Sequence, residues 1–259
     1  MKTVRLLSWN VNGLRAVYRK NFLEWLLRER PDVLCIQETK SSEGQLPDAL
    51  KSVEGYCAFF SSAEKKGYSG VAVYSRVRPK TITEDWGDER FTGEGRILSA
   101  DYGDFLLFNV YFPNGKASQE RLRYKMDFYE SFLDHVRALK KKGKRIVVCG
   151  DVNTAHEEID LARPRENEKI SGFLPMEREW IDRLLAAGFV DTLRMFRKEG
   201  GQYTWWDLKS GARARNVGWR IDYFFVSDSL KEHVRSAAIL GGVMGSDHCP
   251  VELVLTFPR

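Results

Sequence analysis

Cysteine chemistry has little to work with in this chain. Four cysteines stand far apart at 35, 57, 149 and 249, which excludes a Cys-x-x-Cys redox motif or zinc ribbon and is too few for a disulfide framework. Cys35 and Cys149 lie in strongly apolar runs, so they read as buried thiols in a reducing compartment. No apolar run approaches the length of a membrane span. No signal peptide is visible either, because Arg5 interrupts the only early apolar stretch and Asn12-Gly13 comes soon after. The expectation is a cytoplasmic prokaryotic protein, or a nuclear one in a eukaryote. Walker A glycines are absent, and Gly93-Glu94-Gly95 lacks the third glycine of a dinucleotide fingerprint, which argues against nucleotide-driven chemistry. Pro-, Gly- or Ser-rich linkers are missing too, so residues 1–259 are read as one domain. Only four glutamines stand among the many charges, a faint thermophile signature.

What is present is a core-forming, charged chain: 43% hydrophobic and 30% charged residues over 259 positions. Lys and Arg number 41 against 36 Asp and Glu, a net +5 that permits a polyanionic partner without demanding one. Short apolar runs alternate with amphipathic stretches. Helices are expected after Asn21, read as an N-cap with Glu24 three residues on, and ending before Pro31. Another is expected from Gln119 to Lys142 with the stripe Leu122, Met126, Tyr129, Leu133 and Val136, and a third around Trp180 to Leu185 ending at Gly188. Strand-like runs are Val4 to Trp9, Val33 to Ile36, Val71 to Tyr74, Phe105 to Phe112, Ile146 to Cys149, Ile221 to Val226 and Val251 to Leu255. Several are apolar at successive positions, as in strands covered on both faces, so the class is layered α/β.

The informative residues stand at the ends of these runs. Leu6-Leu7-Ser8-Trp9 leads to Asn10 and Asn12, Val33-Leu34-Cys35-Ile36 to Gln37-Glu38, and the run through Val110 to Tyr111-Phe112-Pro113-Asn114. Ile146-Val147-Val148-Cys149 opens into Gly150-Asp151-Val152-Asn153, and Ser246-Asp247-His248 precedes the last run. Strand ends are where a rigid scaffold presents reactive groups. Phosphodiester hydrolysis needs a deprotonated, aligned water, charge stabilisation on the phosphoryl oxygens and help for the leaving oxygen. A hard divalent cation suits the last two tasks, and Glu38, Asp247 and Asn10 are the ligand types it prefers. Asp151 and His248 are candidate proton-handling groups, with Asp222 available to orient the imidazole. Each alone has an ordinary reading: Glu38 as a surface charge or helix cap, Asp151 as a turn residue, Asp247 and His248 as a local hydrogen bond, the asparagines as turn formers, Tyr111 as core. Their recurrence at five strand ends carries the inference. Between 203 and 223, Trp205, Trp206 and Trp219 interleave with Arg213, Arg215 and Arg220, as in a groove where aromatic faces hold a sugar or base and guanidinium groups hold phosphate. Trp206 alone is read as core.

With these residues in view, the sequence resembles the exonuclease III and abasic (AP) endonuclease family of the endonuclease/exonuclease/phosphatase superfamily. Seven ordered blocks carry the resemblance: Ser8 to Arg15, Ile36 to Lys40, Gly67 to Val71, Asn109 to Gly115, Cys149 to His156, Asn216 to Asp222 and Gly245 to Pro250. It implies a four-layer α/β sandwich, two packed mixed β-sheets flanked by helices, and dependence on Mg²⁺ with Mn²⁺ as a substitute. It implies Glu38 as the principal metal carboxylate, assisted by Asn10 and Asp247, and Asp151 as the group that activates water beside Asn153. His248 with Asp222 would contact the phosphate, Tyr111 and Asn114 would support the leaving group and nucleophile, and Asn167 would contact phosphate. Trp205, Trp219 and Ile221 fall where relatives build a pocket for a flipped-out, base-free deoxyribose. Arg15, Tyr68, Arg96 and Lys116 are further candidate strand contacts. Asn12 stands where some relatives carry Asp, which removes one possible anionic metal ligand. The implied activity is incision 5′ to an abasic site in duplex DNA, leaving a 3′-hydroxyl, with 3′-phosphodiesterase and 3′→5′ exonuclease activity on blocked ends, by a monomer. Two rival readings are a superfamily member acting on inositol phosphates or sphingomyelin, which has no use for the 203–223 segment, and a non-catalytic DNA-binding protein, which has no use for the acid–base set.

Overall fold

A computed structural model describes residues 1–258. Its strands in chain order are β1 (Lys2–Asn10), β2 (Val33–Gln37), β3 (Cys57–Ser61), β4 (Val71–Ser75), β5 (Thr81–Thr83), β6 (Ile97–Asp101), β7 (Leu106–Tyr111) and β8 (Ile146–Asp151). They continue with β9 (Phe189–Asp191), β10 (Trp205–Trp206), β11 (Gly218–Trp219), β12 (Asp222–Ser227), β13 (Val234–Ile239) and β14 (Val251–Phe257). The helices are α1 (Leu14–Tyr18), α2 (Phe22–Glu29), α3 (Asp48–Lys51), α4 (Gln119–Lys141), α5 (Pro164–Asn167), α6 (Pro175–Ala186) and α7 (Thr192–Phe196). None is long and apolar enough to cross a membrane.

Two six-stranded sheets run β13-β14-β1-β2-β4-β3 and β5-β6-β7-β8-β12-β9. Each has one parallel pair at its centre, β1 with β2 and β7 with β8, flanked on either side by two antiparallel strands. The side-chain period of two then sorts each strand between two cores. Val4, Leu6, Val33 and Cys35 meet Leu107, Val147, Cys149 and Phe224 between the sheets. On the outer face of the first sheet, Leu7, Trp9, Leu34 and Ile36 pack against Leu14, Val17, Phe22 and Trp25 of α1 and α2. On the outer face of the second, Phe108, Val110 and Val148 pack against Phe128, Phe132 and Trp180 of α4 and α6. Helix, sheet, sheet, helix is the expected four-layer α/β sandwich. Each fully buried side chain of this size stabilises it by roughly 1.5–3 kcal/mol.

Buried amides link the two sheets just beneath one edge. Gln37 Nε2 donates to Ser8 Oγ at 3.0 Å and to Asn109 Oδ1 at 2.7 Å. Asn109 Nδ2 in turn donates to the carbonyls of Ile36 and Ala72. β1, β2 and β4 are thereby fixed to β7 through polar contacts that, unlike apolar ones, tolerate little sliding.

Two local expectations change. Asn21 does not cap α2 with its side chain; it sits in the left-handed region at φ 66°, and its carbonyl accepts from Trp25 N instead. The buried face of α4 is Lys125, Phe128, Tyr129, Phe132, Leu133 and Val136, so Leu122 and Met126 lie at its rim. The first turn is otherwise as its sequence dictates, with Ser118 Oγ accepting from Arg121 N at 3.1 Å.

Candidate active site

Both parallel pairs direct their carboxyl ends into one cavity of about 260 Å³. β1 ends in Asn10, β2 is followed by Glu38, β7 ends in Tyr111 and β8 in Asp151. Asp222 opens β12 directly opposite Asp151, and the turn before β14 delivers Asp247 and His248. Gly150 makes the approach of β8 to β7 possible: at φ +132°, a Cβ there would stand 1.9 Å from the Val110 carbonyl oxygen. The cavity rim is backbone under tension. Asn12, Glu38, Lys40 and Asn153 all occupy the left-handed region, with φ between 48° and 56°. Such placements cost on the order of 1–3 kcal/mol each, less for asparagine, and persist only where the surrounding fold enforces them.

Four carboxylates, those of Glu38, Asp151, Asp222 and Asp247, gather here around Lys40 and His248. Asn10 Nδ2 bridges Glu38 Oε1 at 2.8 Å and Asp151 Oδ2 at 2.9 Å. Lys40 Nζ lies 2.7 Å from Glu38 Oε2 and also donates to Asn12 Oδ1. Burial works against a charge on Glu38, but Lys40 and the Asn10 amide outweigh it and hold the carboxyl below its usual range. His248 Nδ1 donates to Asp222 Oδ2 at 2.8 Å, and Thr204 Oγ1 donates to the same oxygen at 2.6 Å. His248 Nε2 faces Asp151 Oδ2 at 3.9 Å. Burial opposes the imidazolium, yet Asp222 first, then Asp151 and Asp247, raise it to about 10. Asp151 moves to about 7 through burial and the Asp222 and Glu38 charges, against the opposing pull of His248. A proton-accepting carboxylate thus faces a positively charged imidazole.

Around these groups, Asn153 N donates to Asp151 Oδ1 at 2.8 Å, and Asn114 Nδ2 donates to Asn153 Oδ1 at 2.8 Å. Tyr111 keeps its phenolic proton, because burial and the nearby Glu38 and Asp151 push its pKa well above the ordinary value. On the far side of the cavity, the Trp205 and Trp219 rings meet edge to face at 6.4 Å beside Ile221. Trp205 Nε1 donates to Asp247 Oδ2 at 3.1 Å. Lys116 Nζ lies over both indoles, 5.2 Å from the Trp205 centroid and 5.1 Å from that of Trp219.

Most of the residues picked from the sequence line this cavity, and several do something other than expected. Asn10 turns its amide nitrogen to the carboxylates, while its Oδ1 accepts from Asn12 N at 3.0 Å, so the oxygen a metal would use faces away. Asp247 lines the cavity but stands outside the group formed by Glu38, Asp151 and His248, whose ligand atoms lie within 4.8 Å of one another. Arg96 is 2% exposed and cannot serve as an outward phosphate contact. Its guanidinium binds Glu94, Tyr68 Oη and the Tyr111 carbonyl and stacks 4.9 Å from the Tyr111 ring. Tyr68 is tied into the same cluster through Arg121 as well. Arg15 is exposed on α1 and Asn167 donates to the Arg163 carbonyl at 2.9 Å; neither lines the cavity. Within the Trp/Arg segment, Arg220 is buried against Asp160 and Asp191, and Arg213 donates to the carbonyls of Gly241, Val243 and Ser246. Both arginines therefore hold loops rather than phosphate. Trp206 is core, as its sequence suggests.

Sequence reasoning missed four supports. Lys40 closes the block that begins at Ile36, yet its pairing with Glu38 went unforeseen, and Thr204 anchors Asp222. Gly172 lies against Trp219, where a Cβ would come within 3.2 Å of the ring. Lys125, fully buried, donates to the Asn153 carbonyl at 2.8 Å, Thr154 Oγ1 at 2.9 Å and Glu177 at 2.6 Å. Only a lysine on the apolar face of α4 could have signalled it.

Residues 7–248 match the model of the endonuclease/exonuclease/phosphatase family. The chain is 46% identical to an exodeoxyribonuclease of Bacillus subtilis over 97% of its length and 99% of that protein. It is 41% identical to the DNA repair nuclease APEX1 of Danio rerio, over 97% of this chain and 82% of the relative. A Neisseria 3′ phosphatase solved with a product DNA hairpin superposes with a TM-score of 0.90 at 27% identity, covering 98% of this chain and all of the other.

Proposed function

Because the chain belongs to the endonuclease/exonuclease/phosphatase family, in its exonuclease III and AP endonuclease branch, we propose that it is a DNA-repair nuclease cutting duplex DNA 5′ to abasic sites. The products are a 3′-hydroxyl and a 5′-deoxyribose phosphate. Removal of 3′-blocking groups and 3′→5′ exonuclease action use the same cavity. The observation that carries this reading is the Asp222–His248–Asp151 chain beside an ionised Glu38, adjoining an indole-walled niche.

A divalent cation fits the donor set. Glu38 is a half-buried, ionised carboxylate in a polar cavity, and one or two carboxylates with water and substrate phosphate are what Mg²⁺ asks of a protein. Glu38 would be the principal ligand, with Asn10 and Asp247 as the candidates to assist it. Mg²⁺, or Mn²⁺ in its place, would draw charge from the phosphoryl and leaving oxygens.

The chain's own groups supply the rest. Asp151, poised near neutrality, accepts the proton of the attacking water, which Asn153 and Asn114 align. His248, held protonated by Asp222, donates from Nε2 to a phosphoryl oxygen and offsets the charge that builds there. Tyr111 donates its phenolic proton towards the same oxygens, and Arg96 beneath it fixes the ring. Trp205, Trp219 and Ile221 receive the base-free sugar. An abasic nucleotide has lost most of its stacking, so extruding it costs less than extruding an intact one.

The test is a duplex with one tetrahydrofuran abasic analogue, incubated with Mg²⁺ or with EDTA, and the cut mapped. One cut immediately 5′ to the analogue, with a 3′-hydroxyl and none in EDTA, is expected. Cutting in EDTA, or equal cutting of intact duplex, refutes the reading.

A further inference from the structure

The ammonium of Lys116 is out of place for a simple phosphate contact. It lies about equally close to two indole faces, at 5.2 and 5.1 Å, on the wall of the niche assigned to the sugar. Among the described residues, no carboxylate forms an ion pair with it and no acceptor takes a hydrogen bond from its Nζ. The backbone positions it, since Lys116 N donates to Asn114 Oδ1 at 2.9 Å, on the turn that also carries the Asn114 contact to Asn153.

An amine in that place faces particular chemistry. A natural abasic deoxyribose opens from its cyclic hemiacetal to an aldehyde at C1′, and lysine amines in partly desolvated, apolar surroundings form imines with carbonyl groups. We propose that Lys116 is a nucleophile that captures ring-opened abasic sites as an imine, a second and metal-independent way of holding the lesion. The Nζ lone pair adds to C1′. The C1′–Nζ double bond then replaces C1′=O, and the oxygen leaves as water with the two amine protons. No oxidant, reductant or metal enters. Although the residue as a whole is solvent-accessible, burial around its ammonium holds the pKa below the ordinary lysine value, enriching the reactive amine.

This inference rests on the abasic-site reading above, and the experiment separates the two. The full chain in EDTA is mixed with duplex carrying a true aldehydic abasic site, then treated with sodium cyanoborohydride, which delivers hydride to C1′ and fixes the adduct as a secondary amine. A covalent protein–DNA species is expected with the aldehydic site and not with tetrahydrofuran. K116R keeps a cation but lacks the nucleophilic amine, and should lower the yield at least tenfold. Peptide mapping of the wild-type adduct should place the modification on Lys116, a readout that does not depend on how the variant folds. No adduct, an undiminished K116R adduct, or modification of the N-terminal amine or another lysine overturns the proposal. If Mg²⁺-dependent cutting of the tetrahydrofuran duplex is seen without any adduct, only the imine is lost. Absence of that cutting is the result that sinks the abasic-site reading itself.

Discussion

Replacing Lys125 with methionine should be among the costliest changes outside the cavity. Lys125 and Glu177 are both wholly buried and 2.6 Å apart; burial pulls the lysine's pKa below its ordinary value, and the Glu177 charge works against that pull. Removing one member of such a pair typically costs about 3–5 kcal/mol, because the other charge stays behind. Glu177 keeps donors from Ser171 Oγ at 2.8 Å, Gly172 N at 2.6 Å and Leu174 N at 3.0 Å, which pulls the cost down. The Asn153 carbonyl meanwhile loses a buried donor, at about 1–3 kcal/mol for an orphaned group. The two corrections roughly cancel, so K125M should lose about 4 kcal/mol, a large share of the 5–15 kcal/mol of an ordinary domain. Urea unfolding at pH 7, followed by tryptophan fluorescence, measures it. K125M/E177Q removes the stranded charge and should recover about 1 kcal/mol or more relative to K125M. A single-variant loss below about 1 kcal/mol, or a double variant no more stable than the single, would refute the reasoning. Incision by folded K125M should slow as well, because the Asn153 turn hangs on that ammonium and the Gly172 segment against Trp219 on its partner Glu177.

Other perturbations probe different parts of the molecule. D222N should drop the His248 imidazolium from about 10 towards the ordinary histidine value and slow incision about a hundredfold or more; in the variant, activity should then fall as pH rises through the lowered value, and an unchanged imidazole titration by NMR would contradict the assigned orientation. W219A should mainly erode preference for abasic over intact duplex, measured as a ratio of cutting rates, and an unaltered ratio would count against the niche. Burial opposes ionisation of Asp160, but Arg220 and Arg194 outweigh it, so its folded pKa lies below the unfolded value of about 3.9. That stabilisation is complete above the unfolded value and disappears as pH falls through the folded one. Urea midpoints should therefore drop more steeply on acidification in the wild type than in D160N; parallel curves would dismiss the linkage.

The layered fold was readable because its central strands are covered on both faces. Runs such as Leu6-Leu7 and Ile146-Val147-Val148 are apolar at every step, and their ends deliver polar residues abruptly. β3, β6 and β13 escaped notice because they mix residues: Val234-Arg-Ser-Ala-Ala-Ile has neither a continuous apolar run nor clean alternation, and β3 and β13 lie at sheet edges where the requirement relaxes. At the site, Glu38, Asp151 and His248 were legible from their positions beside strands. Arg96 and Arg220 were misread because charged residues usually face water; what buries Arg220 is Asp160, 60 positions earlier, and no local pattern reveals that pairing. The orientation of the Asn10 amide and the left-handed turns at Glu38 and Lys40 are products of tertiary contact, for which side-chain identity carries no signal.

β1 precedes by most of the chain the strand it is hydrogen-bonded to, β14, with Lys2 opposite Phe257. While the nascent chain is still leaving the ribosome, that flank of β1 has no neighbour, and its unpaired amides invite association with other chains. The imidazole that Asp222 orients emerges 26 residues after it, just ahead of the same closing strand. Closure of the first sheet and assembly of the cutting centre are thus one late event, and a partly translated chain holding every carboxylate in this cavity but Asp247 would still lack the means to break DNA.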